Sequence, residues 1–323
     1  MLRRLLLALV AVVVAVAAVG AGWWIWGRDG TQAAERPDIP FAPLADETLK
    51  DPDNPTKVFR VDFARLEHQF PLARADLLEL TPANLRTLSQ EEIDQIYGRL
   101  TAGPIPDGAY QGDLFFARGD SLRPRLQEIL GGISGRLAGE KIELVERLGR
   151  TLWKGKMFDR EHMVLRNFIE DVKPIEGLID DPDTLMTAKV PRGGLLGRIL
   201  PTTSVWLLFP AKLYCGQSLL DGRRESVIVD YLFGDEIAGY RPSPDSLAGR
   251  GGLRIRDEIR MVRPGFYLGR AYANRAFLLN FTLYNPEVAE TGTDAFAAGE
   301  PIAEDCWPGE QKRQQGIQQA AVQ

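Results

Sequence analysis

Between Gly252 and Tyr284 the chain alternates with a period of two, and little else in it restricts the fold as strongly. Leu253, Ile255, Ile259 and Met261 are apolar, while Arg254, Arg256, Glu258 and Arg260 between them are charged. That pattern specifies a strand with one buried face. Asp257 interrupts it, because it falls on the apolar face. Pro264-Gly265 supplies a turn, Phe266 to Tyr272 begins a second strand, and Ala276 to Tyr284 forms a third. With an even number of loop residues, Asp257 faces Tyr272 and Ile259 faces Arg270, gathering an acid, a base and a phenol on the inner face. A Pro-Gly pair is not the favoured two-residue hairpin turn, so a four-residue loop is expected. A one-residue change in register would turn those side chains to the opposite face.

Further strands are expected from Gly108 to Phe116, from Leu152 to Phe158, from Ser204 to Leu220 and from Ser226 to Phe233. At least six strands joined by short turns, most of them in the second half, imply an antiparallel sheet closed into a barrel or nearly so. No βαβ alternation and no repeat of solenoid length is present. Helices precede the strands. Thr81-Pro82 opens one, and Ser89-Gln-Glu-Glu92 is a capping box for another, whose apolar face is Ile93, Ile96, Tyr97 and Leu100.

Composition removes several function classes. The net charge of -5 gives no electrostatic case for nucleic acid. Two histidines and two cysteines cannot make the usual zinc site without acids, and neither Cys-x-x-Cys nor Cys-x-x-Cys-His occurs. No cofactor is expected. The Asp-rich stretches at Asp51-Pro-Asp-Asn-Pro and Asp180-Asp-Pro-Asp carry prolines and lack the glycine and distal glutamate of a calcium loop.

Leu5 to Trp26 is an uncharged, almost wholly apolar run that follows Arg3-Arg4 and ends in Trp23, Trp24 and Trp26. It is long enough to span a bilayer, and its basic start favours a cytoplasmic N-terminus. The alternative, a cleaved signal peptide, would leave a very apolar Trp-Trp-Ile-Trp start. The expectation is a single-pass inner-membrane anchor with the main domain in the periplasm, a compartment that permits a Cys215–Cys306 disulfide. The chain then divides into an anchor (1–27), a tether (28–57), a helical segment packing on the barrel (58–107), a barrel domain (108–285) with a helical insert (120–150), and a flexible tail (286–323).

Gly108-x-Tyr110-x-Gly112, followed by Leu152-Trp-x-Gly-Lys-x-Phe158, resembles the bacterial calycin-like proteins with a Gly-x-Trp-x-Gly signature. Val229-Asp230-Tyr231 and the stretch from Ile255 to Gly269 resemble later strands of that family. Tyr110 replaces the family's tryptophan, and the helical insert differs. The resemblance implies a lipocalin-like β-barrel with room for an apolar ligand and carries over no catalytic residue.

Barrel walls are expected from Tyr110, Trp153, Phe158, Tyr231, Phe266, Tyr272 and Phe281. The ligand-binding candidates are Tyr110, Trp153, Tyr231, Asp257, Arg270 and Tyr272. Asp257 either fixes strand register through Arg270 and Tyr272 or orients a ligand's polar head; as an enzyme the chain would use it as a general base. Asp230 is solvated or lines a mouth. Lys154 and Lys156 form a wet edge around Gly155, whose lack of a side chain suits close approach of a neighbour. Arg254, Arg256 and Arg260 form a wet outer face or a patch for anionic lipid headgroups. No nucleophile elbow, P-loop or dinucleotide fingerprint is present. The function expected is carriage or binding of a small hydrophobic molecule, with an acid–base enzyme or a ligand-free envelope scaffold as alternatives.

Overall fold

The computed structural model describes residues 34–43, 62–119, 153–179, 181–191 and 202–306. The expected anchor, most of the tether and the insert at 120–150 lie outside the described residues. No described helix is long and apolar enough to cross a membrane.

Nine antiparallel strands form one sheet: β1 (Gly108–Phe115), β2 (Trp153–Asp159), β3 (Val164–Ile169), β4 (Thr187–Pro191), β5 (Thr202–Gln217), β6 (Glu225–Asp230), β7 (Ile255–Arg263), β8 (Phe266–Ala273) and β9 (Ala276–Tyr284). Except between β3 and β4, each strand pairs with the next in sequence, and β9 returns to β1 with Phe281 opposite Leu114. β3 joins β5 directly, so eight strands close into a barrel and β4 lies alongside the start of β5. A closed barrel leaves no unpaired sheet edge around its circumference.

The hairpin from β7 to β8 departs from its expected register. Arg263 pairs with Phe266, so the loop is the two residues Pro264-Gly265, not four. Gly265 has φ +73°, which a glycine adopts without steric cost. The register then shifts between Met261 and Arg263, leaving Val262 as a bulge. Beyond it Asp257 faces Ala271, Ile259 faces Gly269, Glu258 faces Arg270, and Arg256 faces Tyr272. One extra residue has therefore separated Asp257 from Arg270 and Tyr272, which sit on the outer face.

That outer face is covered. Among the described residues four helices, α1 (Phe63–Gln69), α2 (Arg74–Glu79), α3 (Pro82–Leu85) and α4 (Gln90–Arg99), precede the barrel. Ser89 and Glu92 form the expected capping box on α4. Leu80, Leu85, Leu88, Ile93, Ile96, Tyr97 and Leu100 bury against Phe115, Val262, Phe266 and Leu268 of the barrel. Ile39 joins this layer, and Ala42 exchanges hydrogen bonds with the Gln95 side chain. Part of the expected tether is thus packed against α4.

Arg260 is not on a wet face as expected: it is completely buried beneath α4. Its Nη1 donates to the Tyr97 carbonyl at 2.9 Å, Nη2 to the Arg224 carbonyl at 2.8 Å and Nε to Ser226 Oγ at 3.0 Å. A guanidinium survives burial when backbone carbonyls accept its protons in this way. Arg256 stays partly exposed on the outer face, with 23% of its side-chain surface open, and donates to the Gln217 carbonyl.

Within the expected loose tail, residues 286–306 are described and ordered. Asn285 caps a helix, α5 (Pro286–Ala297), by accepting from the backbone N–H groups of Glu287 and Val288. The strap that follows returns to the barrel. Glu304 accepts from the Gly103 N–H, Asp305 from the Ile105 N–H, and Cys306 forms the expected disulfide with Cys215, with 5.2 Å between their Cα atoms. Ala102, Ile105 and Cys306 join the barrel-interior cluster, and Tyr267 donates to the Pro104 carbonyl at 2.6 Å. One end of the barrel is closed by these contacts.

Candidate functional site

Along β2, simple alternation puts Trp153 and Lys156 on opposite faces. The pairing with β3 slips between Trp153 and Gly155, so Lys154 is an extra residue and both side chains reach the interior. Gly155 makes this possible. Its φ is +149°, and a Cβ there would lie 2.1 Å from the Tyr110 carbonyl oxygen and 2.4 Å from the Phe168 ring. Lys156 is accordingly buried, with only 2% of its surface exposed, instead of forming the wet edge expected of it.

Inside the barrel Lys156 meets Asp257. Lys156 Nζ lies 2.8 Å from Asp257 Oδ2, 2.6 Å from Tyr231 Oη and 3.0 Å from Asn167 Oδ1. An ammonium has three protons, so these acceptors use all of them. Asn167 Nδ2 donates to Tyr231 Oη at 2.9 Å and to the Phe209 carbonyl at 3.2 Å, and Trp153 Nε1 donates to Asn167 Oδ1 at 2.8 Å. Tyr231 Oη lies 3.3 Å from Asp257 Oδ2. The rings of Tyr231, Phe281 and Trp153 surround the ammonium at 5.2, 5.4 and 5.5 Å, a cation–π arrangement.

Burial opposes the charge on Lys156, yet the Asp257 carboxylate and the Tyr231 phenol outweigh it and hold its pKa above the ordinary lysine value. Burial pushes Tyr231 up to about 12, opposed by the Lys156 charge. Both shifts bear on stability in the same direction. Lysine with a raised folded pKa stabilises fully below its unfolded value and loses that contribution as pH rises through the folded one. An unfolded tyrosine ionises near pH ~10 while Tyr231 remains protonated, so unfolding is favoured progressively between about pH 10 and 12. The urea midpoint is therefore expected to fall across that window. Tyrosinate absorbance should show a phenol that ionises only as the fold is lost; a midpoint unchanged to the top of the window would contradict the assignment.

Of the six expected ligand-site residues, the structure brings Trp153, Tyr231 and Asp257 together. Tyr110 is also inside but sits toward the closed end, edge-on to Phe158 and Tyr267 at 5.5 and 5.7 Å. Arg270 and Tyr272 are separated from the others by the barrel wall. Arg270 Nε donates to Tyr272 Oη at 2.9 Å, its Nη1 pairs with Asp94 of α4, and its guanidinium lies 4.2 Å from the Phe277 ring centroid. Phe266 too faces the helices instead of the interior. Asp230 neither is solvated nor lines a mouth: it is buried, accepting from the Leu232 N–H at 2.9 Å and from Tyr214 Oη at 2.7 Å where β6 gives way to a 3-10 turn.

Lys156 and Asn167 are the members that alternation along the strands does not single out. For Lys156 the available signal is the neighbouring glycine, which marks a bulge as well as a close approach. Asn167 has no local signal. The cluster suits binding better than covalent chemistry, because a lysine nucleophile must shed its proton and Lys156 is held protonated. Cys215, Glu225 and Cys306 bring ligand atoms within 4.8 Å of one another, but the two sulfurs are bonded together and offer no thiolate to a metal.

No family model matches the chain, and no curated protein matches it. Among solved structures, the crystal structure of a protein from Thermomonospora curvata is similar at 19% identity and a TM-score of 0.30, covering 62% of this chain and 88% of that one.

Proposed function

We propose that this chain is a membrane-tethered carrier or binder of one small hydrophobic molecule, held in the barrel with its polar end toward Lys156 and Asp257. The observation that carries this reading is a buried polar cluster set in an apolar barrel interior, around which Leu114, Trp153, Ile255 and Leu279 are only partly buried. Beside the polar cluster, Ala271 faces Asp257 and retains 8% of its surface. Eight strands enclose about enough space for one small ligand, and apolar walls with a few converging polar groups are the usual lining of such a site. The Leu5–Trp26 run, with its basic start and terminal tryptophans, supports a single-pass inner-membrane anchor with the barrel on the periplasmic side. The disulfide agrees with an oxidising compartment.

Ala271→Leu tests the reading. In an open interior the added side chain occupies ligand space: the protein should fold with an unchanged urea midpoint and lose saturable binding of an uncharged fluorescent probe such as N-phenyl-1-naphthylamine. In a solid core the same change overpacks, costing about 1–3 kcal/mol. A destabilised variant, or one that binds the probe as the parent does, contradicts the proposal.

A further inference from the structure

The interior cluster has spent every hydrogen-bond donor it possesses. Lys156 uses three protons on Asp257, Tyr231 and Asn167. Asn167 Nδ2 serves Phe209 and Tyr231, and Trp153 Nε1 serves Asn167. The Tyr231 hydroxyl proton has Asn167 Oδ1 at 3.2 Å and Asp257 Oδ2 at 3.3 Å to choose between. On Asp257 both bonds fall on Oδ2, so Oδ1 accepts none among the described residues. The aspartate side chain also keeps 6% of its surface, against 3% for Lys156.

Charge points the same way. Lys156 and Asp257 cancel, Tyr231 is protonated at neutral pH, and Lys156 has no charged hydrogen-bond partner besides Asp257 among the described residues. A carboxylate or phosphate brought here would add an unpaired anion to a buried site whose cation is already neutralised, and would compete with Asp257 for protons that are all in use. An ammonium head would face the Lys156 charge. A ketone or ether offers only another acceptor. A neutral hydroxyl donates to an open carboxylate oxygen and leaves the charge balance untouched.

We propose that the barrel selects an uncharged apolar molecule bearing a hydroxyl group, an alcohol and not an acid, whose hydroxyl donates to Asp257 Oδ1. This rests on the ligand-binding reading above and deepens it. The experiment is displacement of N-phenyl-1-naphthylamine from the oxidised, full-length protein by three ligands of equal chain length: dodecan-1-ol, dodecanoate and dodecyl methyl ether. The alcohol should displace the probe at about tenfold lower concentration than either of the others, the factor that one hydrogen bond of ordinary strength supplies. Dodecanoate acting as well as or better than the alcohol overturns the proposal while leaving the ligand-binding reading intact. So does an ether equal to the alcohol, which would show that nothing reads the hydroxyl proton. Failure of the probe itself to bind sinks the ligand-binding reading, and this proposal with it.

Discussion

Asp257→Ala is expected to destabilise the protein by about 3–5 kcal/mol, the cost of leaving one member of a buried ion pair without its partner. The stranded group would be the ammonium of Lys156, a residue with 2% of its surface exposed and no second carboxylate among its hydrogen-bond partners. Replacing both charges tests whether the loss belongs to the pair or to the space. In Lys156→Met with Asp257→Leu the interior becomes apolar, while Asn167 and Tyr231 keep their bond to each other. Such double replacements are often neutral or stabilising by about 1–4 kcal/mol, so most of the lost stability should return. Urea midpoints of the parent, the two single variants and the double variant form the cycle. An Asp257→Ala midpoint equal to that of the parent would mean that water reaches Lys156 freely, contrary to the burial described.

Removing the disulfide ranks next. Cys215 and Cys306 are 91 residues apart, so their bond restricts a long loop in the unfolded chain. Loops of that length carry a chain-entropy contribution of about 4–5 kcal/mol, of which native disulfides typically deliver about 2–4. Cys215→Ser with Cys306→Ser should therefore lose about 2–4 kcal/mol. The loss should be felt first where the strap is held, at the Gly103 and Ile105 N–H groups that Glu304 and Asp305 accept from. Hydrogen exchange at those two amides should accelerate before exchange in β7 to β9 does. Equal protection of both regions in the oxidised and reduced proteins would show that the strap is held by its carboxylates alone.

What could be read from the chain depended on whether a feature is local. The three strands β7 to β9 follow from alternation and turn residues, and the α4 capping box from four consecutive side chains. The closed antiparallel barrel follows from the number and spacing of strands. Asp257 was legible as an interior group because it alone broke an apolar face. Its partners were not, and the reason is a single bulge on each strand. Val262 shifts β7 against β8, which sends Arg270 and Tyr272 outside; the slip at Lys154 on β2 puts Trp153 and Lys156 on the same face. A period-two pattern carries no mark of where one residue has been added. Arg260 was misplaced for another reason. Alternating charge specifies which face a residue occupies, not what later covers that face, and here α4 and two backbone carbonyls replace water.

The central claim is that the interior beside Lys156 and its aromatic neighbours holds a ligand. Mass spectrometry of organic extracts from the purified, full-length protein addresses it most directly. The account predicts one equivalent of an uncharged, apolar, hydroxyl-bearing compound per chain, absent from extracts of Ala271→Leu prepared in parallel. Extracts free of any apolar compound, from a protein that also takes up no uncharged probe when one is supplied, would contradict it.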